Sequence, residues 1–118
     1  MWAGVLAGVL VVAFLLFSAT TIIPPKDLTR TRFRALEVRI RHSLAQGQDV
    51  NSLDIKTLPE APGKDNATTD GWGHPIVMRV DGSIITLTSY GKDGKPGGTD
   101  QDADIEHRFS IGHRKQLE

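Results

Sequence analysis

Apolar and polar positions divide this chain into three regimes. Trp2 to Ile23 is a run of 22 residues diluted only by Gly, Ser and Thr, and the first charged residue is Lys26. As a helix this run would reach roughly 33 Å, enough to cross a bilayer core of roughly 30 Å. Pro24-Pro25 ends or kinks it, because neither ring nitrogen can donate to a helix ladder. The run fits a cleaved signal peptide poorly, since it has no basic n-region and no A-x-A site before Pro24. From Asp27 to Gln46 the pattern changes to a helical period. Leu28, Phe33, Leu36, Ile40 and Leu44 recur at three- and four-residue steps, and Gly47 is placed as a C-terminal cap. The two helices can form one rod bent at the prolines.

Gly47 to Asp70 has little periodicity and is punctuated by Asn51, Pro59, Pro62, Gly63 and Asn66. Leu53, Ile55 and Leu58 are the residues able to pack it back on the helix. Strand patterning begins after Pro75. Ile76–Val80 and Ile84–Thr88 are β-rich runs, and Asp81-Gly82-Ser83 between them is a hairpin turn signal. Asp104–Ser110 supplies a third short strand with Ile105, His107 and Phe109 on one face. The predicted organisation is a transmembrane anchor over 1–25, an amphipathic helix over 26–47, an irregular region over 48–69 and a small antiparallel β domain over 70–118. The fold class is α+β.

Charge and composition narrow the chemistry. The 118 residues carry 14 Lys and Arg against 14 Asp and Glu, a balance that argues against general nucleic-acid binding. There is no cysteine, so disulfides, thiol chemistry and Cys-ligated zinc are excluded. Lys26, Arg30, Arg32, Arg34, Arg39 and Arg41 follow the apolar run against Asp27 and Glu37. Read by charge alone, that excess keeps the C-terminal side in the cytoplasm. Arg30, Arg34, Glu37 and Arg41 lie off the apolar stripe and read as a solvated face, with attraction to anionic headgroups as the alternative. His42, His74, His107 and His113 show no zinc-ligand spacing. Neither a glycine-elbow serine nor a P-loop is present, and no catalytic set is expected. Trp72, between two glycines, reads as a packing residue over the hairpin. Asn66-Ala67-Thr68 matches a glycosylation acceptor but is too common a pattern to carry weight.

Residues 90–105 hold the one chemically pointed segment. Asp93, Asp100, Asp102 and Asp104 are interleaved with Gly91, Gly94, Gly97 and Gly98. Hard cations take roughly six to eight oxygen ligands from carboxylates and carbonyls, and a glycine-rich loop can turn carbonyls inward. The EF-hand pattern does not fit, because Lys95 and Gly97, or Ile105, would fall at the wrong loop positions. Composition alone leaves a metal loop and a solvated acidic turn both open.

Three motifs in order resolve the chain further. Asp70-Gly71-Trp72-Gly73-His74-Pro75, then Ser89-Tyr90-Gly91-Lys92-Asp93-Gly94-Lys95-Pro96-Gly97-Gly98, then Asp102-Ala103-Asp104-Ile105 resemble the C-terminal domain of the type II secretion major pseudopilin family, protein G. The resemblance implies a long N-terminal helix, an irregular loop region and a small antiparallel sheet. It implies structural calcium, held by Asp93, Asp100 and Asp102, with Asp104 possible and the carbonyls of Tyr90 and Lys95 completing the shell. It also implies a non-enzymatic subunit of a secretion or pilus-type assembly, homo- or hetero-oligomeric with other pseudopilin-like subunits or secretion components. Such a subunit spans the bacterial inner membrane once, with its C-terminal domain in the periplasm. The alternative is a membrane-tethered binding module that reuses the fold without forming filaments. The family's Gly-Phe processing bond and its Glu at the fifth mature position have no counterpart before Glu37, which leaves two readings, a truncated start or a diverged relative that stays in the membrane; the anchor, already a full span, slightly favours the second. Tyr90 stands where the family usually has Leu, and Glu106-His107 where it has Gly-Asn.

Overall fold

The structure, a computed structural model, describes residues 22–112. The apolar run over 1–21 and the end of the chain lie outside the described residues, so the anchor does too. Among the described residues no helix is long and apolar enough to cross a membrane.

Helix α1 spans Pro25–Ala45. Pro24 precedes it with extended backbone (φ −58°, ψ 144°), and Pro25 occupies the first turn, where a missing N–H costs nothing. The helix therefore has its own start at Pro25. It ends in a Schellman arrangement: Gln48 N donates to Ser43 O (3.1 Å), Gly47 N donates to Leu44 O (3.1 Å), and Gly47 has φ 98°. Phe33, Leu36 and Ile40 are essentially inaccessible, as the periodicity predicts. Each contributes about 1.5–3 kcal/mol by leaving water.

Two short 3₁₀ turns, Val50–Ser52 and Ile55–Thr57, bring Leu53, Ile55 and Leu58 back under the helix. The side chains of Asp49 and Asp54 cap these turns, accepting from Asn51 N (3.1 Å) and Lys56 N (2.9 Å). The Asn66 side chain is fully engaged in the same region, bonded to Ala61 N, Ala61 O and Lys64 O.

Strands β1 (Val77–Asp81), β2 (Ile84–Ser89) and β3 (Ile105–Ser110) form an antiparallel sheet in the order β1-β2-β3. The register sets Met78, Leu87 and His107 in one cross-strand row, and Val80, Ile85 and Phe109 in the next. These rows face the helix, and Ile76, Ile85, Leu87 and Phe109 join the helix residues in one core. The outer face of central β2 is also covered, since Thr86 and Thr88 are 8% and 6% exposed between the side chains of both neighbours.

Glu37 departs from its expected place on the solvated face. Its Oε1 lies 2.6 Å from His107 Nε2 on β3, and its Oε2 accepts from Arg41 Nε at 2.8 Å. His107 stacks on Phe33 (centroids 6.0 Å apart, planes 13°), and Arg41 lies 5.1 Å above the Phe109 ring. A polar pair thus joins helix to sheet inside an aromatic frame. Helix periodicity could not show this, because the partner is 70 residues away. Burial, the largest single influence on Glu37, pushes its carboxyl up. The hydrogen bonds from His107 and Arg41, with their charges, together outweigh it and hold the carboxyl below its ordinary value. Asp65 is likewise lowered, first by the backbone N–H of Ala67 and then by Arg32. A carboxyl depressed on folding adds stability above its unfolded value, and that stability disappears as pH falls through the folded value. Melting temperature should therefore fall with acidification below the ordinary carboxylate range. Glu37→Gln should flatten that slope, and an unchanged slope would remove this pair from the acid response.

Candidate functional site

The site is built outward from Asp70, which is wholly buried. Its Oδ1 accepts from Trp72 N (2.9 Å) and His74 N (2.9 Å), folding Gly71–Gly73 into a tight Asx-type turn. Its Oδ2 accepts from Ser89 Oγ at 2.7 Å, and Ser89 Oγ accepts in turn from Gly91 N at 3.2 Å. One carboxylate thereby joins the turn before the hairpin to the end of β2 and to the first glycine of the acidic loop. The turn also docks on the helix start. Thr29 Oγ1 donates to Pro25 O (2.7 Å) and accepts from Gly71 N (2.8 Å). Gly71 is so close that an added Cβ would stand 2.1 Å from Pro25 O. Arg32 closes the same corner, donating to Asp65 Oδ2 (2.9 Å), Thr69 O (3.2 Å) and Asp70 O (3.0 Å).

The acidic loop leaves this node and is pinned along its length by its own backbone. Lys92 N donates to Gln101 O (2.8 Å), and His74 Nε2 lies 3.0 Å from Lys92 O. Gly91 has φ 79°, and a Cβ there would fall 2.6 Å from the backbone of Asp102, so the two arms of the loop can close only over a glycine. A 3₁₀ turn, Asp100–Asp102, forms the far wall. Asp100 begins it at φ 52°, the one positive φ of a non-glycine residue among the described residues.

Of the expected ligand set, the fold brings three side chains to one concavity. Asp93, Asp100 and Asp102 line it with Lys92, Thr99 and Gln101. Asp104 is turned elsewhere, its Oδ1 accepting from Gly97 N at 3.0 Å, while Asp93 Oδ1 accepts from Lys95 N at 3.0 Å. Tyr90 and Lys95 are not among the lining residues. Among the described residues no three carboxylates or imidazoles converge closely enough to form a finished metal cage. The donors fit a hard cation in kind, being carboxylate oxygens beside a hydroxyl and an amide, in an open, water-accessible loop.

Sequence reasoning passed over Asp70, Ser89, Arg32 and His74 as working residues. Asp70-Gly71 carried a local turn signal, but the link to Ser89 is a contact over 19 positions that no spacing rule reveals.

Comparison with known proteins bears directly on this region. Residues 56–108 match the family model described as type II secretion system (T2SS), protein G. The type II secretion system core protein G of Xanthomonas campestris pv. campestris is 51% identical to this chain over 41 residues, which is 33% of this chain and 29% of that relative. The match thus spans under a third of the relative's length. No solved structure matches the chain. The resemblance carried by the three motifs is shown over residues 56–108, which hold Asp70 with the three donors to its carboxylate, the sheet to Arg108 and the acidic loop, while Thr29 and Arg32 of the helix lie outside it.

Proposed function

We propose that this chain is a structural, pseudopilin-like subunit of a type II secretion or related pilus-type assembly, acting by association with other pseudopilin-like subunits or secretion components. The observation that carries this reading is the protein G match over 56–108. In this fold that segment is a compact sheet locked to a helix, with its acidic, glycine-rich loop closed by the Lys92 N to Gln101 O bond. The uncharged run from Trp2 to Ile23 supports a single-pass inner-membrane tether, and the family reading places the domain that follows it in the periplasm.

Calcium is proposed as the structural ion of the acidic loop. Asp93, Asp100 and Asp102 would hold it, with backbone carbonyls of the loop and water as further oxygen donors; Tyr90 and Lys95, which do not line the concavity, are left out of this set. Bound there, the ion would supply charge neutralisation. It would offset the negative charge of Asp93, Asp100 and Asp102, which line the concavity together with a single cation, Lys92. The backbone strain at Asp100 supports the same reading, because strain at a loop residue persists where something over-determines it.

Thermal unfolding of the full chain in detergent, with calcium and then with chelator, tests this. Binding to the folded state alone should add about 2.7 kcal/mol at a hundredfold excess over the dissociation constant. The shift should vanish in Asp93→Ala and in Asp100→Ala. A melting temperature indifferent to calcium in the wild-type chain would reduce the loop to an acidic turn.

A further inference from the structure

Helix α1 carries more basic residues than its packing uses. Arg32 and Arg39 are turned inward onto backbone carbonyls. Arg41 is committed to Glu37 and to the Phe109 ring. Lys26, Arg30 and Arg34 remain. They are spaced i, i+4, i+8, which places them on one rising ridge spanning about 80° of the helix and about 12 Å of its length. Arg30 and Arg34 are exposed and Lys26 is half-buried. Among the described residues Lys26 and Arg34 form no salt bridge, and Arg30 has only a loose one, 3.7 Å from Asp27.

The position of this ridge selects its partner. Ile22 and Ile23, the last residues of the long apolar run, are 80% and 54% exposed, and Lys26 follows three positions later. An apolar stretch that gives way to a basic ridge within one helical turn has the polarity of a bilayer boundary. From Lys26 to Arg34 the ridge covers about 12 Å. That matches the headgroup layer plus one Debye length, roughly 8 Å at physiological ionic strength. Anionic phospholipid headgroups at that boundary would complement the three cations, among which Asp27 is the one acidic residue at the exposed positions of the helix.

We infer that Lys26, Arg30 and Arg34 form a collar that binds anionic phospholipid headgroups and holds the base of the domain at the membrane surface. This rests on the membrane-tether reading of the apolar run. The collar fixes the height and tilt of α1 above the bilayer, and it gives the subunit a preference for anionic lipid that the uncharged run alone cannot supply.

The test uses the full chain reconstituted in vesicles of equal parts phosphatidylcholine and phosphatidylglycerol. Electron spin resonance then compares the motionally restricted fraction of spin-labelled phosphatidylglycerol with that of spin-labelled phosphatidylcholine. The wild-type chain should favour phosphatidylglycerol, by up to on the order of fivefold for each charge that meets a headgroup. The triple variant Lys26→Gln, Arg30→Gln, Arg34→Gln should bring the ratio to one while still floating with the vesicles, and high salt should do the same to the wild-type chain. A ratio of one in the wild-type chain, as a collar serving an acidic protein partner would give, overturns the inference. A preference that survives the triple substitution overturns it equally. Failure of the tether reading has a different signature, a chain that does not float with vesicles and restricts neither lipid.

Discussion

Asp70→Ala is expected to be the most damaging single substitution outside the apolar core, lowering stability by about 3–5 kcal/mol. The carboxylate serves three donors from two parts of the chain, Trp72 N, His74 N and Ser89 Oγ, and is wholly buried. Alanine leaves all three facing a void, and a buried donor without a partner costs about 1–3 kcal/mol. For a domain of this size each kcal/mol is worth roughly 4–8 °C, so the melting temperature of the full chain should drop by roughly 12 °C or more. Asp70→Asn separates geometry from charge. Its remaining oxygen can still take the two backbone N–H groups, and its amide can donate to Ser89 Oγ, so most of the stability should survive. Amide exchange at Gly91 should accelerate in the alanine variant, because Ser89 Oγ, which receives Gly91 N, loses its own anchor. Equal losses in the alanine and asparagine variants would mean that charge, not the three-way hydrogen bonding, holds the node. A loss below about 1 kcal/mol in Asp70→Ala, the worth of one ordinary hydrogen bond, would show that it is not a node at all.

The elements of this fold were legible because each follows a local rule. The stripe Phe33, Leu36, Ile40 obeys the helical period, and all three are buried. The hairpin turns at Gly82-Ser83, between strands that begin and end within a residue of their expected places. Ile105, His107 and Phe109 do share the inner face of the third strand. What was not legible is the set of polar contacts that fix these elements against one another. Hydropathy treats arginine as solvated, yet Arg32 and Arg39 point inward, because the turn-rich chain beneath α1 has carbonyls that no ladder satisfies. Glu37 lies off the apolar stripe by periodicity and is drawn in by a histidine that arrives from β3. The acidic loop sits between these cases. Its composition named the right residue types, and the fold gathers Asp93, Asp100 and Asp102. Asp104 is diverted to Gly97 N, a backbone partner that only the folded loop supplies.

Arg39→Met should cost about 3 kcal/mol, and the reason lies in the segment it holds rather than in the helix it belongs to. Residues 58–66 contain no strand, so their carbonyls have no sheet partners. The Arg39 guanidinium supplies them instead, donating from Nη2 to Leu58 O (2.9 Å), from Nε to Pro59 O (3.2 Å) and from Nη1 to Asn66 O (3.2 Å). Arg39 is only 6% exposed, and among the described residues it has no carboxylate partner. Two opposing terms decide the outcome. Hydrogen bonds to a charged donor are worth about 1.5–3 kcal/mol each, whereas burying the cation carries a penalty of several kcal/mol that methionine would relieve. The three bonds win because they diverge in the planar fan that only a guanidinium offers, and because without them three carbonyls are left in a narrow space under the helix. Arg39→Lys should therefore fall between wild type and methionine, since one ammonium cannot span acceptors on residues 58, 59 and 66. Proteolysis of the full chain should move with stability, opening first between Pro59 and Asn66. A methionine variant as stable as wild type, with that segment still resistant, would show that the buried charge costs as much as its bonds return.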